Sequence, residues 1–244
     1  MTPHLVADDR TFPPLPPTDM DDVACVLAAD WDAFRGIDRM ANHWDRPGWG
    51  RHDRTYYWML TFPTAPSLIA EARVCQQHLA HHGLDPVPED GLHITMKKIG
   101  AVPDIPRAGV DELAQLAAAL VGGPFEIQAH PMAGSPGAVR FTVTPWSALV
   151  RLHATLDQAA HAAAIPVQGR PTGLFRPHLG IFYCPADRPA APVIESVAAL
   201  RQRRPIPVKV RSVDLVELRR EHRSYQWDVV HSVPLLPVSG PPVG

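Results

Sequence analysis

Proline cuts this chain into short pieces. The prolines gather in "FPPLPP", "AVPDIP", "CPADRPAAP", "RRPIPV" and "SGPPVG", 28 of them in 244 residues. Each cluster stops one element before the next begins, because proline lacks an amide hydrogen and fixes its own φ. Between the breaks lie runs with clear periodicity. "TYYWMLTF" (55–62), "LHITMKKI" (92–99), "FEIQAHPM", "AVRFTVTP" and "PHLGIFYC" read as strands. "APSLIAEARVCQQHLAHHG" is a helix closed by Gly83, a second helix spans roughly 108–121, and "WSALVRLHATLDQAAHAAA" and "APVIESVAALRQR" are two more. "VKVRSVDLVELRRE" and "SYQWDVVHSVPL" read as a closing hairpin. Several neighbouring strands are too close in sequence for a parallel crossover. The pattern therefore predicts an α+β fold with antiparallel sheets and helices on their outer faces. Strand, helix and histidine-bearing strand occur once in each half, so two pseudo-duplicated lobes around a shared groove are expected.

Residues 1–17 read as an extended or disordered leader, 18–50 as a helix and an aromatic-basic loop, 51–236 as the bilobal domain, and 237–244 as a tail. The first helix opens with Thr18 as its expected N-cap, followed by Val23, Val26, Leu27, Trp31 and Phe34 at helical spacing. A hydrophobic content of 45% and a charged content of 20% are those of an ordinary globular chain, and a net charge of −2 gives no global attraction to polyanions or membranes. Cys25, Cys75 and Cys184 form no disulfide framework, which fits a reducing compartment. No signal peptide or membrane-spanning run is visible, so a cytoplasmic location with no membrane and no obligate protein partner is expected.

Two short strands carry the chemistry. In "GLHITMKKIG" (91–100) the period of two places His93, Thr95 and Lys97 on one face, and in "RPHLGIFYCP" it places His178 and Gly180 together. A histidine's unperturbed pKa of about 6.5 suits proton transfer in either direction near neutrality. Displacement at phosphorus needs such a pair, one group to take a proton from the nucleophile and one to give a proton to the leaving oxygen. On these motifs the chain resembles the two-histidine (2H) phosphoesterase superfamily, whose signature is a repeated His-x-Thr/Ser. It resembles an actinobacterial branch of the 2′-5′ RNA ligase family more closely still, at "MANHWDRPGWG", "TYYWMLTF", both histidine strands and "LVELRREHRSYQWDVV", roughly residues 37–236.

The resemblance implies a bilobal fold with both histidines facing a central groove. It implies cleavage of 2′,3′-cyclic phosphates or related phosphodiesters, or reversible RNA joining, with neither metal nor other cofactor. His93 and His178 become the acid–base pair and Thr95 a phosphate-holding hydroxyl. The substrate is then a small molecule, a nucleotide or an RNA end. The chain departs from the signature at Gly180, where the second hydroxyl is expected. That departure opens an alternative, the same scaffold acting as a cyclase, lyase or hydrolase on a non-phosphate molecule, or as a binding module without turnover.

Other residues enter by chemistry and position. Arg176 lies two residues before His178 and is expected to clamp a phosphate or carboxylate, as are Arg223 and Tyr225 near the last hairpin. His43, Trp44, Arg46 and Trp49 form an aromatic-basic loop able to stack a nucleobase, while Tyr57 and Trp58 read as core. Lys97 reads as an exposed strand-end lysine. His78, His81 and His82 share a helical face but lack a carboxylate or cysteine to complete a metal site, and histidines at a helix C-terminus also suit the dipole.

Overall fold

A computed structural model of the chain describes residues 3–45 and 53–236. Two antiparallel sheets dominate it. Strands β2 (Arg54–Thr61), β4 (His93–Ala101), β10 (Ser212–Glu221) and β11 (Ser224–Pro234) form one sheet in the order β11-β10-β2-β4. Strands β3 (Asp85–Pro86), β5 (Phe125–Ser135), β6 (Ala138–Thr144), β7 (Leu179–Tyr183) and β9 (Ile206–Val210) form the other, in the order β3-β7-β6-β5-β9. A small ribbon pairs β1 (Arg39–Met40) with β8 (Arg188–Pro189). The expected closing strand 208–221 is in fact two: the chain leaves the five-stranded sheet at Val210 and enters the four-stranded one at Ser212. The histidine strands β4 and β7, one in each sheet, approach each other across the middle.

Among the described residues, five α-helices cover these sheets. Helices α3 (Arg107–Leu120) and α4 (Trp146–Ala162) serve the first sheet, and α2 (Pro66–Leu79) and α5 (Ala191–Leu200) serve the second. Trp58, Leu60, Ile94, Phe141, Leu179 and Ile181 are fully or almost fully buried in one continuous core with the apolar stripes of those helices. Helix α2 gives way to a 3₁₀ turn that Gly83 ends with φ at +61°, a left-handed conformation that favours glycine. No helix among the described residues is long and apolar enough to cross a membrane.

Residues 3–45 are part of the same packed body. In helix α1 (Val23–Arg35) the cap is Asp22 rather than Thr18: its Oδ1 accepts from the amides of Ala24 and Cys25 at 2.7 and 3.2 Å. Thr18 instead places its hydroxyl 3.5 Å from Cys25 Sγ. Phe34 of α1 seats its ring against Gly134, where a side chain would collide with it. From residue 3 the leader lies against the body, with turns and bends over 9–15. Val6 donates to the carbonyl of Gly173 at 2.9 Å, and Thr11 is buried.

Candidate active site

Both histidines are held in the same way. Nδ1 of His93 lies 2.8 Å from the carbonyl of Gly91, and Nδ1 of His178 lies 2.9 Å from the carbonyl of Arg176. A carbonyl only accepts, so each bond fixes the tautomer with hydrogen on Nδ1 and leaves Nε2 as the reactive nitrogen. The two residues line one cavity of about 710 Å³, together with Thr95 and Tyr225. That volume falls in the range of small-molecule sites. Burial pushes the pKa of His93 below its ordinary 6.5, against an opposing effect of the Gly91 carbonyl. Trp227 meets its ring at a steep angle, 5.3 Å between centroids and 70° between planes.

Each histidine strand carries a bulge at the same place. In β4, Thr95 pairs with Met59 and Lys97 with Trp58, so Met96 is extra. In β7, Gly180 pairs with Arg140 and Phe182 with Val139, so Ile181 is extra. Each extra residue sits three places after its histidine and shifts the alternation by one. The residue five places after each histidine therefore joins the histidine's face: Lys98 on β4 and Tyr183 on β7, both on the cavity wall. Lys97 is turned the other way, contrary to the expectation of an exposed lysine beside His93. It is 3% exposed, with Nζ 2.6 Å from Asp157 on α4 and 2.9 Å from the carbonyl of Arg170.

Gly180 is open. A Cβ built there would meet only Tyr183, with its hydroxyl and Cε1 each at 3.9 Å, an ordinary contact distance. Tyr183 in turn stacks on His43, with centroids 4.1 Å apart and planes 26° apart, and His43 Nε2 lies 3.1 Å from the hydroxyl of Tyr225. Trp44 stands behind this wall, 5.0 Å from Tyr183 and 5.4 Å from Tyr225, with its indole N–H donated to Asp85 at 2.7 Å. Trp44 thus supports the aromatic wall and does not line the cavity. Arg46 and Trp49 lie outside the described residues. Of the two aromatics expected in the core, Trp58 is there, but Tyr57 lines the cavity.

The arginines divide. Arg176 is not the anion clamp its position suggests: it is 6% exposed and its donors go to main-chain carbonyls. Nε donates to Pro13, Nη1 to Gly173 and Phe175, and Nη2 to Val6 and Pro14. Five donors meet five acceptors, so Arg176 fastens the leader beside His178, and burial lowers its pKa to about 10. The fastened leader brings Asp9, Arg10, Thr11 and Phe12 to the cavity wall. Arg223 is exposed, 3.9 Å from Asp85, beside a small cleft that also touches His93 and Tyr225. Arg140, which the sequence does not single out, lines the cavity opposite Gly180, and its buried Nε has no protein partner.

The helix histidines point elsewhere. His82 faces Ser196 at 2.8 Å and His78 the carbonyl of Val74 at 3.2 Å, and no three His, Cys, Asp or Glu side chains gather as a metal site among the described residues.

Two antiparallel sheets that bring a matched pair of Nδ1-anchored histidines to one cavity define the architecture of the two-histidine phosphoesterases. The chain belongs to the 2′-5′ RNA ligase superfamily, whose model matches residues 63–222. Among solved structures it is similar to apo LigT of E. coli, with a TM-score of 0.57 at 14% identity over 76% of this chain and 99% of that one. It is also similar to TT0787 of Thermus thermophilus, with a TM-score of 0.56 at 18% identity over 75% and 99% of the two chains. A search of curated proteins finds no match.

Proposed function

We propose that this chain is a phosphoesterase that opens a 2′,3′-cyclic phosphate, or cleaves a 2′-5′ phosphodiester, of a nucleotide or an RNA end. The matched anchoring of His93 and His178 on one cavity carries the reading. His93, kept neutral by burial, takes a proton from the attacking water through Nε2. His178, protonated on both nitrogens, gives its Nε2 proton to the departing 2′ or 3′ oxygen. One P–O bond forms and one breaks, and solvent returns each ring to its starting state. Thr95 donates to a non-bridging oxygen, where charge develops, and Lys98 adds a positive charge on the same wall. All the proton transfers belong to side chains, so turnover is expected to survive chelator. Structures of LigT with 3′-AMP and with phosphate support this reading, since that similarly folded protein holds phosphate and a nucleotide monoester.

The test is hydrolysis of nucleoside 2′,3′-cyclic phosphates in EDTA by the whole chain. His93→Ala and His178→Ala should each lower kcat/KM by at least about 10²-fold. Gly180 favours a second reading, a site widened for a non-phosphate ligand. Serine fits there without a clash, so Gly180→Ser should maintain or raise hydrolysis if the first reading holds. A wild type inert on every cyclic phosphate, and not rescued by serine, would move the assignment to the second.

A further inference from the structure

Leader residues 8–14 stand beside His178, the side from which the proposed reaction expels its leaving group. We propose that this segment is a selectivity wall, which admits the 2′,3′-cyclic phosphate of a single nucleotide and excludes a linear 2′-5′ diester. The proposal rests on the phosphoesterase reading with His178 as the acid, and it chooses between the two substrates that reading allows.

Burial locates the wall. Arg176 and Arg140 flank His178 and Gly180 on the cavity lining, yet they are only 6% and 3% exposed. The leader covers both. The ring of Phe12 lies over Arg140, its centroid 5.4 Å from the guanidinium carbon, and the carbonyls of Val6, Pro13 and Pro14 take up donors of Arg176. On the His93 side the long lining residues Tyr57 and Lys98 stay half-buried. The wall is also braced. The amide of Asp8 donates to the carbonyl of Pro14 at 3.0 Å, and Thr11 donates its amide and hydroxyl to the carbonyl of Asp8 at 3.0 and 2.7 Å. Arg10 folds back onto the Asp8 carboxylate at 2.6 Å. A loop closed in this way excludes a group by shape instead of moving aside, which is selection by a clash against the wrong partner. The family match begins at residue 63, so the wall lies outside the region that carries the shared histidine chemistry. The two substrates differ where the wall stands. In a cyclic phosphate the departing oxygen stays on the ribose that keeps the phosphate, so one nucleoside enters. A linear diester expels a second nucleoside, in line with the attacking water and therefore beside His178.

The experiment has a kinetic and a binding arm. Hydrolysis of adenosine 2′,3′-cyclic phosphate is compared with that of adenylyl-(2′→5′)-adenosine. Calorimetry compares the same dinucleotide with adenosine 2′-(methyl phosphate), a diester of equal charge that carries methyl in place of the second nucleoside. Wild type should favour the cyclic phosphate by at least about 10²-fold in kcat/KM and bind the methyl ester at least about tenfold more tightly than the dinucleotide. Arg176→Met, which frees the leader, and Phe12→Ala, which thins the wall, should each narrow both ratios about tenfold. F12A leaves the Arg176 bonds in place, so it gives the answer where R176M does not fold. Equal binding of the two diesters by wild type, comparable rates on the two substrates, or ratios unchanged in F12A would overturn the proposal. Binding that discriminates by size, without hydrolysis of either substrate, would uphold the wall and refute the phosphoesterase reading. Binding of neither diester, with no hydrolysis, would refute both.

Discussion

Asp30 on α1 and Arg140 on β6 form an ion pair closed off from water, with side chains 2% and 3% exposed. The hydroxyl of Thr142 donates to the other carboxylate oxygen, and Arg140 also reaches the carbonyl of Phe12 at 3.4 Å and lies over its ring at 5.4 Å. The pair therefore ties helix, leader and second sheet together beside the cavity. Removing one partner of a buried pair strands the other charge, at a cost of about 3–5 kcal/mol. Asp30→Ala should lower stability by that order in urea unfolding. The double change with Arg140→Met should recover much of the loss, and a D30A protein as stable as wild type would refute the role.

Arg176 gives a second prediction. Arg176→Met would take a donor from five carbonyls, of which those of Gly173, Pro13 and Pro14 keep another in Val6, Thr11 and Asp8, and each group left unsatisfied costs about 1–3 kcal/mol unless water reaches it. The cheapest relief is release of the leader, which exposes the carbonyls of Val6, Pro13 and Pro14. Limited trypsin digestion should then cut after Arg10 faster in the variant than in wild type, before the sheets unfold. Equal cutting rates in the two proteins would show that the leader is held by something else.

The contrast between Arg176 and His178 shows what is legible in the sequence. His93, Thr95 and His178 announce themselves because a strand's alternation is local, and two neighbouring positions on one face of a short strand cannot lose phase. Tyr183 and Lys98 stay hidden because a bulge lies between them and their histidines, and its position depends on which residues of the neighbouring strand pair. Lys97 is misplaced for the same reason. Arg176 reads as a clamp because its partners in the leader sit more than 160 residues earlier in the chain, and no local pattern reports them. The antiparallel α+β architecture is readable from short spacings alone, whereas the change of sheet at Arg211 is not, since one continuous alternating run supplies both β9 and β10.

His153 sets an acid limit on stability. It is 2% exposed, stacked on Phe175, with Nδ1 2.9 Å from the hydroxyl of Thr172. Burial, with a smaller contribution from Lys97 and against the opposing charge of Asp157, lowers its pKa from 6.5 to about 3. The unfolded chain takes up a proton below 6.5 that the folded chain refuses until about 3. This stabilisation is complete above the upper value and is lost as pH falls toward the lower, at up to about 1.4 kcal/mol per pH unit. Asn at this position can present its amide to Thr172 without titrating. His153→Asn should therefore flatten the fall of melting temperature between pH 6.5 and about 4, even though its neutral-pH stability is reduced by the lost stack. An unchanged slope would place the acid sensitivity in other groups, of which His82 and His130, also lowered by burial, are the first to try.

The pH dependence of turnover tests the assignment of His93 as the base. Burial lowers its pKa below 6.5, so the ring stays neutral, with Nε2 able to accept, at pH values where an exposed histidine would already be half protonated. The acid limb of kcat/KM reports the base in the free enzyme, so it should fall below pH 6.5. Leu92 and Ile94 flank the histidine in the core, and Trp227 stands beside its ring. Trp227→Ser, which admits water to the ring, should move the acid limb upward toward the ordinary value while leaving the alkaline limb in place. That shift separates a change in proton affinity from simple damage, which would lower the whole profile without moving it. If the alkaline limb moved instead, His93 would be the acid of the pair and His178 the base.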